Sequence, residues 1–268
     1  VMISRYTRPE MQKIWAAESR FRWMQEVEVV VAEVQAEMGL IPTEAAQDIR
    51  SKARFDTQRI DEIEQTTKHD VIAFVSNLAE NIGPNGRYVH YGLTSSDVLD
   101  TALNLQIREA ADCLRGGLRS LQETLLEKIK TTQGALCAGR THGMHAEPTT
   151  LGLKLCGFLA EIDRNVERLQ TAFKQMEIGK LSGAVGTYSA LSQEVESRVC
   201  EKLSLAPETV ATQVVPRDRH AQVFYALASL MAGFERLAVE LRHLQRTEVG
   251  EVIEGFTPGQ KGSSAMPH

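Results

Sequence analysis

His142 stands between Arg140-Thr141 and Gly143, and Ser263 and Ser264 lie side by side after Lys261 and Gly262. Imidazole titrates near neutral pH, so a histidine exposed by flanking glycines can give or take a proton. The alternative is a histidine satisfying backbone groups in a tight turn. A serine hydroxyl acts as a base only where a cation, helix dipoles or a closing loop lower its pKa. Gly259 to His268, with two glycines at its start and Pro267 near its end, breaks helix and strand alike and otherwise reads as a surface loop. His142 and His145 are three residues apart, but only Glu147 offers itself as a further ligand nearby, too few for a metal site.

Three other polar stretches carry candidates. Lys68-His69-Asp70 heads the apolar run Val71, Ile72, Phe74, Val75 and Leu78. His69 there is either a helix-start residue bonded to its neighbour or part of a site. Tyr88 to Asp97 places His90 ahead of Thr94-Ser95-Ser96-Asp97, where Ser95 or Ser96 would cap a helix and Asp97 would favour its positive end. The same free N–H groups can hold carboxylates and phosphates. Lys180 to Thr187 has the glycines of a phosphate loop but neither its Gly-Lys-Ser/Thr ending nor a preceding strand, and reads as close packing of small residues. Gln213, Arg217 and Arg219 then lead into a later helix.

The elements that must position these groups are long helices. Leu103, Ile107, Ala111, Leu114, Leu118, Leu121, Leu125 and Ile129 form one stripe with steps of three or four. Leu151 to Met176 forms a second, begun by Pro148 at a first-turn position and closed by Gly179. Val223 to Leu244 forms a third. Each helix would run roughly 40 to 50 Å at 1.5 Å per residue, and the third has an apolar face wide enough for neighbours on more than one side. A bundle shared between subunits is expected. Before it, Phe21 to Met38 predicts an amphipathic helix stopped by Gly39 and Pro42, with shorter helices over 44–53 and 57–66. No alternating strand pattern exceeds a few residues, so the fold class is all-α, with an N-terminal helical domain over 1–93 and a bundle domain over 94–268.

The 268 residues are 43% hydrophobic and 24% charged, an ordinary soluble composition, and the net charge of -5 argues against a nucleic-acid platform. An anionic small-molecule substrate stays open. The four scattered cysteines fit a reducing compartment, and neither a signal core nor a membrane span is present, so the cytoplasm is expected.

Taken in order, Thr-Ser-Ser-Asp, Arg-Thr-His-Gly, Ser-Gly-Ala-Val-Gly-Thr and Gly-Ser-Ser-Ala-Met-Pro-His between successive helices resemble the fumarase/aspartase superfamily, whose signature loop is Gly-Ser-Ser-x-Met-Pro. The Arg5-Tyr6 opening, Lys68-His69-Asp70, Thr-His-Gly-Met-His-Ala-Glu-Pro and the Gln213 segment resemble its adenylosuccinate-cleaving branch. Lys68 stands where many members carry Arg. The resemblance implies a homotetramer with each site built from three subunits, no metal or organic cofactor, and β-elimination of fumarate from adenylosuccinate and from the succinylated aminoimidazole carboxamide ribotide. It implies Ser263 as base, His142 as acid on the opposite face and His69 assisting. Arg5 and Tyr6 would hold the phosphate, Thr94 and Ser95 a succinyl carboxylate, with Lys68, Asp70, His90 and Gln213 completing the pocket. It also implies a lysine and a third helical domain beyond His268, so a chain ending there is expected to bind nucleotide weakly and release almost no fumarate. The alternatives are a sister lyase for argininosuccinate, aspartate or a carboxylated muconate, and a non-catalytic helical scaffold.

Overall fold

The computed structural model describes residues 3–263. A 3-10 turn at Ser4–Tyr6 leads into helices α1 (Pro9–Ile14), α2 (Ala17–Glu37), α3 (Thr43–Lys52), α4 (Thr57–Thr67) and α5 (Asp70–Ile82). The long α6 (Ser95–Thr132) follows, then a hairpin of β1 (Leu136–Thr141) and β2 (Met144–Thr150), and α7 (Leu151–Lys174). A short parallel pair, β3 (Ile178–Gly179) and β4 (Ala206–Pro207), brackets α8 (Gln193–Lys202), and α9 (Asp218–Leu244) is the last helix among the described residues.

The chain packs as two units. The first joins the described residues up to Arg115 with Thr171–Gln222; the second joins Gly116–Gln170 with the described residues from Val223. In the first, α2 is the central helix. Its valines at 27, 29, 30, 31 and 34 are buried with Ala45 and Ile49 of α3, Val71, Phe74 and Leu78 of α5, Val98 and Leu105 of α6, and Val195 and Val199 of α8. Branched side chains weaken a helix in isolation, so α2 owes its helicity to this packing on most of its faces. Phe21 stacks on Phe74 with ring centroids 5.5 Å apart. Of the short helices, α4 and α8 start on side-chain caps: Asp56 accepts from the backbone of Gln58 and Arg59, and Ser192 from Val195.

In the second unit, Leu125 of α6 and Leu155 and Ile162 of α7 form a buried cluster lined by Leu121, Ile129, Leu159, Val166 and Phe234. On α9, Ser229 donates to Asn165 at 2.9 Å, and Lys154 pairs with Glu240 at 2.6 Å. The remaining faces stay open: Phe224 is 70% exposed, Met231 60% and Leu153 66%.

The sequence-based expectations meet four corrections of detail. The 136–150 stretch is a β-hairpin, where the sequence showed no strand pattern. It escaped periodicity because its residues are exposed or half-buried, so no apolar alternation marks a core face. Pro148 lies in β2 opposite Ala138, not in the first turn of α7. A two-stranded sheet is all edge, where proline's missing N–H is tolerated. Thr150 instead caps α7, accepting from the Leu153 N–H at 3.2 Å. That helix ends at Lys174, and Gly179 belongs to β3. At the start of α6 the cap is Thr94, not Ser95 or Ser96.

Candidate active site

His142 and Gly143 are the two residues between Thr141 and Met144, which pair across the hairpin. Both have positive φ, 55° and 75°, the conformation of a two-residue turn whose twist matches the strands. Histidine is uncommon there, glycine free. The turn thrusts the imidazole to an exposed tip. Arg140, at the hairpin's end, pairs with Glu251 at 2.7 Å and anchors the segment that runs on toward Ser263. The Arg140 guanidinium, bonded to it, holds the Glu251 carboxyl below the usual carboxylate range despite partial desolvation. From Val252 to Ser263 the described chain has no regular structure except a turn at 257–260, where the Gln260 N–H donates to the Thr257 carbonyl and Gly259 takes φ 86°. Lys261, Gly262 and Ser263 are exposed. Ser264 to His268, including the Met-Pro of the signature, lie outside the described residues.

The other sequence candidates belong to the first unit. Lys68 ends α4 in a left-handed conformation, φ 52°, and His69 caps α5 by accepting at Nδ1 from the Ile72 N–H, 3.3 Å away. A neutral imidazole that accepts at Nδ1 carries its proton on Nε2, so His69 offers a donor from that atom. Asp70 pairs with Arg20 of α2 at 3.0 Å. Arg5 and Tyr6 sit in the opening 3-10 turn, the guanidinium 5.7 Å from the ring centre, and Tyr6 is exposed.

Thr94 and Ser95 stand at the start of α6, where free N–H groups face outward with the positive end of the helix dipole. The start is held by Asp97: its carboxylate accepts from the Thr94 N–H at 3.0 Å, the returning half of a capping box. Its other oxygen takes the ammonium of Lys180 at 2.7 Å and the Gly183 N–H at 3.3 Å. Both partners of this ion pair are fully buried. The Lys180 to Thr187 segment is thereby a clamp on the α6 start; of its small residues Gly186 packs closely, while Ala184 and Thr187 are exposed and a Cβ on Gly183 would meet open space. A Cβ on Gly186 would lie 1.8 Å from the Ala211 carbonyl oxygen. Gln213 is exposed, and its segment is fixed by Asp100 of α6, which accepts from the Val215 N–H at 2.7 Å and from Arg217 through both oxygens. His90 lies in the turn before α6, with φ 62° and its ring against Glu28 of α2.

Within the first unit, α2 and the start of α6 therefore support Asp70, His90, Thr94, Ser95 and Gln213, while His142 and Ser263 belong to the second unit. Among the described residues no hydrogen bond links Arg5, Tyr6, His69, His90 and Gln213 to one another. Sequence reasoning missed Arg20, Glu28, Asp97 as a clamp, Asp100, Arg140 and Lys180. For Glu28 there was a signal: a lone charge on the buried side of a valine run. Among the described residues no group of three or more His, Cys, Asp or Glu side chains is placed to hold a metal ion, and no helix is long and apolar enough to cross a membrane.

Residues 4–268 match the model of a family described as lyase. The chain is 51% identical over 267 residues to the adenylosuccinate lyase of Synechocystis sp. and 49% identical to that of Bacillus subtilis, covering 100% of this chain and 62% of each relative. It thus spans about three-fifths of the length of the curated relatives it matches. Among solved structures, the 3-carboxy-cis,cis-muconate lactonizing enzyme of Pseudomonas putida superposes with a TM-score of 0.88 at 33% identity, over 98% of this chain and 61% of that one. The fumarate lyase of Mesorhizobium sp. BNC1 gives 0.85 at 27% identity, over 93% and 60%.

Proposed function

The chain belongs to the lyase family, and from that premise we propose that the protein eliminates fumarate from adenylosuccinate to give AMP. By the same cleavage it releases fumarate from the succinylated aminoimidazole carboxamide ribotide in purine synthesis. One observation carries the reading: half of all positions, along the whole chain, are identical to proteins named for adenylosuccinate. The muconate enzyme is matched at only 33%. The reading includes a nucleotide substrate, a cytoplasmic location, and the division into an N-terminal helical domain over 1–93 and a bundle domain from 94.

The chemistry asks for a base at the carbon next to a carboxylate, donors for the charge that builds on that carboxylate, and an acid for the leaving nitrogen. Ser263 is the base. His142 protonates the nitrogen from the opposite face, and its place at an exposed hairpin tip supports that role. His69, with its proton on Nε2, assists as a donor. The α6 start, with Thr94 and Ser95, receives a succinyl carboxylate, as helix starts do. Arg5 and Tyr6 take the phosphate, and Lys68, Asp70, His90 and Gln213 complete the pocket. The bare apolar faces around Phe224, Met231 and Leu153 support assembly into a homotetramer whose sites draw on several subunits.

Fumarate release, followed by ultraviolet absorbance in the protein extended to its relatives' length, tests the reading with adenylosuccinate and argininosuccinate side by side. Release from adenylosuccinate alone is expected. Release from argininosuccinate alone would give the protein to a sister activity, and release from neither would leave a scaffold.

A further inference from the structure

Glu28 lies mid-way along α2 in the run Val27-Glu28-Val29-Val30-Val31 and is 2% exposed. A carboxylate taken out of water there is costly unless its oxygens are matched. They are matched by one residue. The His90 backbone N–H donates to Oε2 at 2.9 Å, and His90 Nδ1 lies 2.6 Å from Oε1. An ionised carboxylate only accepts, so Nδ1 carries a proton. Two turns along the same helix, Gln35 donates to the Tyr91 carbonyl at 2.7 Å. From the other side Leu191 closes on Gly92, where a Cβ would come within 2.8 Å of its Cδ2. The left-handed turn that carries His90 is therefore gripped on both sides.

A neutral acceptor would serve the backbone N–H equally well; a carboxylate adds charge beside the ring. The charged groups facing the imidazole are Glu28 from α2 and Asp97 from α6, the latter already paired with Lys180. Burial alone would pull the imidazole pKa down, but the hydrogen bond and charge of Glu28, with Asp97 behind it, leave it above the usual histidine value. The His90 side chain is still 14% exposed, and Nε2 has no hydrogen-bond partner among the described residues.

We propose that Glu28 is a positioning residue: it holds His90 as an imidazolium through Nδ1, so that Nε2–H is offered as a charged donor to the anionic substrate. The role rests on the function proposed above. It assigns to a residue distant in sequence the orientation and charge of a binding-site histidine.

The test has two arms. Nitrogen-15 spectra of the histidine rings, with His90 identified by the signal lost in H90Q, read the ring state without substrate. Both His90 nitrogens should be protonated at pH 7. In Glu28→Gln the amide must donate to Nδ1, and the ring should become neutral with its proton on Nε2. In the second arm, Glu28→Gln should raise the KM for adenylosuccinate by about tenfold or more, the scale of a lost charged hydrogen bond, with a smaller change in kcat. A purely structural role would lower the folded fraction and leave KM alone. A neutral His90 in the parent protein at pH 7 overturns the proposal, even if E28Q does not fold; so does an E28Q protein with the parent's KM. Should the parent, extended to its relatives' length, not cleave adenylosuccinate, the proposed function falls, while the ring spectra still decide whether Glu28 charges His90.

Discussion

At His142 one residue has to satisfy both a backbone and a chemistry. Its φ of 55° is the turn's requirement, and the imidazole is what the proposed reaction would use. Asparagine tolerates the left-handed region but cannot shuttle a proton near neutral pH, so His142→Asn separates the two. In the protein extended to its relatives' length, H142N and S263A should each lower turnover by about 10² or more, the usual scale for an acid or base, with melting temperatures close to the parent's. Ser264→Ala should cost much less; equal losses at Ser263 and Ser264 in folded protein would remove the first serine from the base's role. The His90 pair yields a pH signature at the same scale. Its folded pKa is raised, so the stability it contributes is fully present below the ordinary histidine value of about 6.5 and is lost as pH rises through the folded value. Urea denaturation should show the parent's advantage over E28Q shrinking from pH 6 toward pH 9. An advantage that grows with pH would mean His90 is buried neutral.

Between elements, the most deeply buried ion pair among the described residues is Lys180 with Asp97, which ties the segment after β3 to the start of α6. Removing one partner strands the other charge out of water. Lys180→Met should lower the unfolding free energy by about 3–5 kcal/mol in urea titrations, whereas the double change K180M with D97N should recover much of that loss. Single and double variants of equal stability would show that the pair is not what fixes this junction. The hairpin is a contrasting case. It buries little, and its position depends on the exposed turn and on Arg140 with Glu251 rather than on a core.

For the whole molecule, α7 and α9 leave Leu153, Phe224 and Met231 uncovered, and these are apolar faces that the proposed tetramer would bury. If subunits share sites, H142A and S263A proteins, each inactive alone, should regain part of the parent activity when unfolded and refolded together. Hybrid tetramers with no recovery would mean that each site is built within one chain.

The sequence by itself determined most of the helices, though not α8, because an apolar stripe repeating every three or four residues is a local, redundant signal: α2, α3 and α4 lie within a residue or two of where periodicity and the Gly39-Pro42 stop put them, apart from an earlier start of α2. It also determined the family, since motifs such as Gly-Ser-Ser-Ala-Met-Pro are read residue by residue. Only the tertiary structure decided what holds the described motifs around His142, the α6 start and His90 in place. The hairpin under His142 has no buried face to imprint a period of two on the sequence. Asp97 reads locally as a helix-start acid, and its bond to Lys180, 83 positions away, exists only once α6 and the segment after β3 are packed. Glu28 and His90 are 62 positions apart, and their pairing depends on a turn folding back over the middle of α2. Contacts of that kind leave no periodic trace in a single sequence, because each is made by one residue against one partner that chain folding alone brings near.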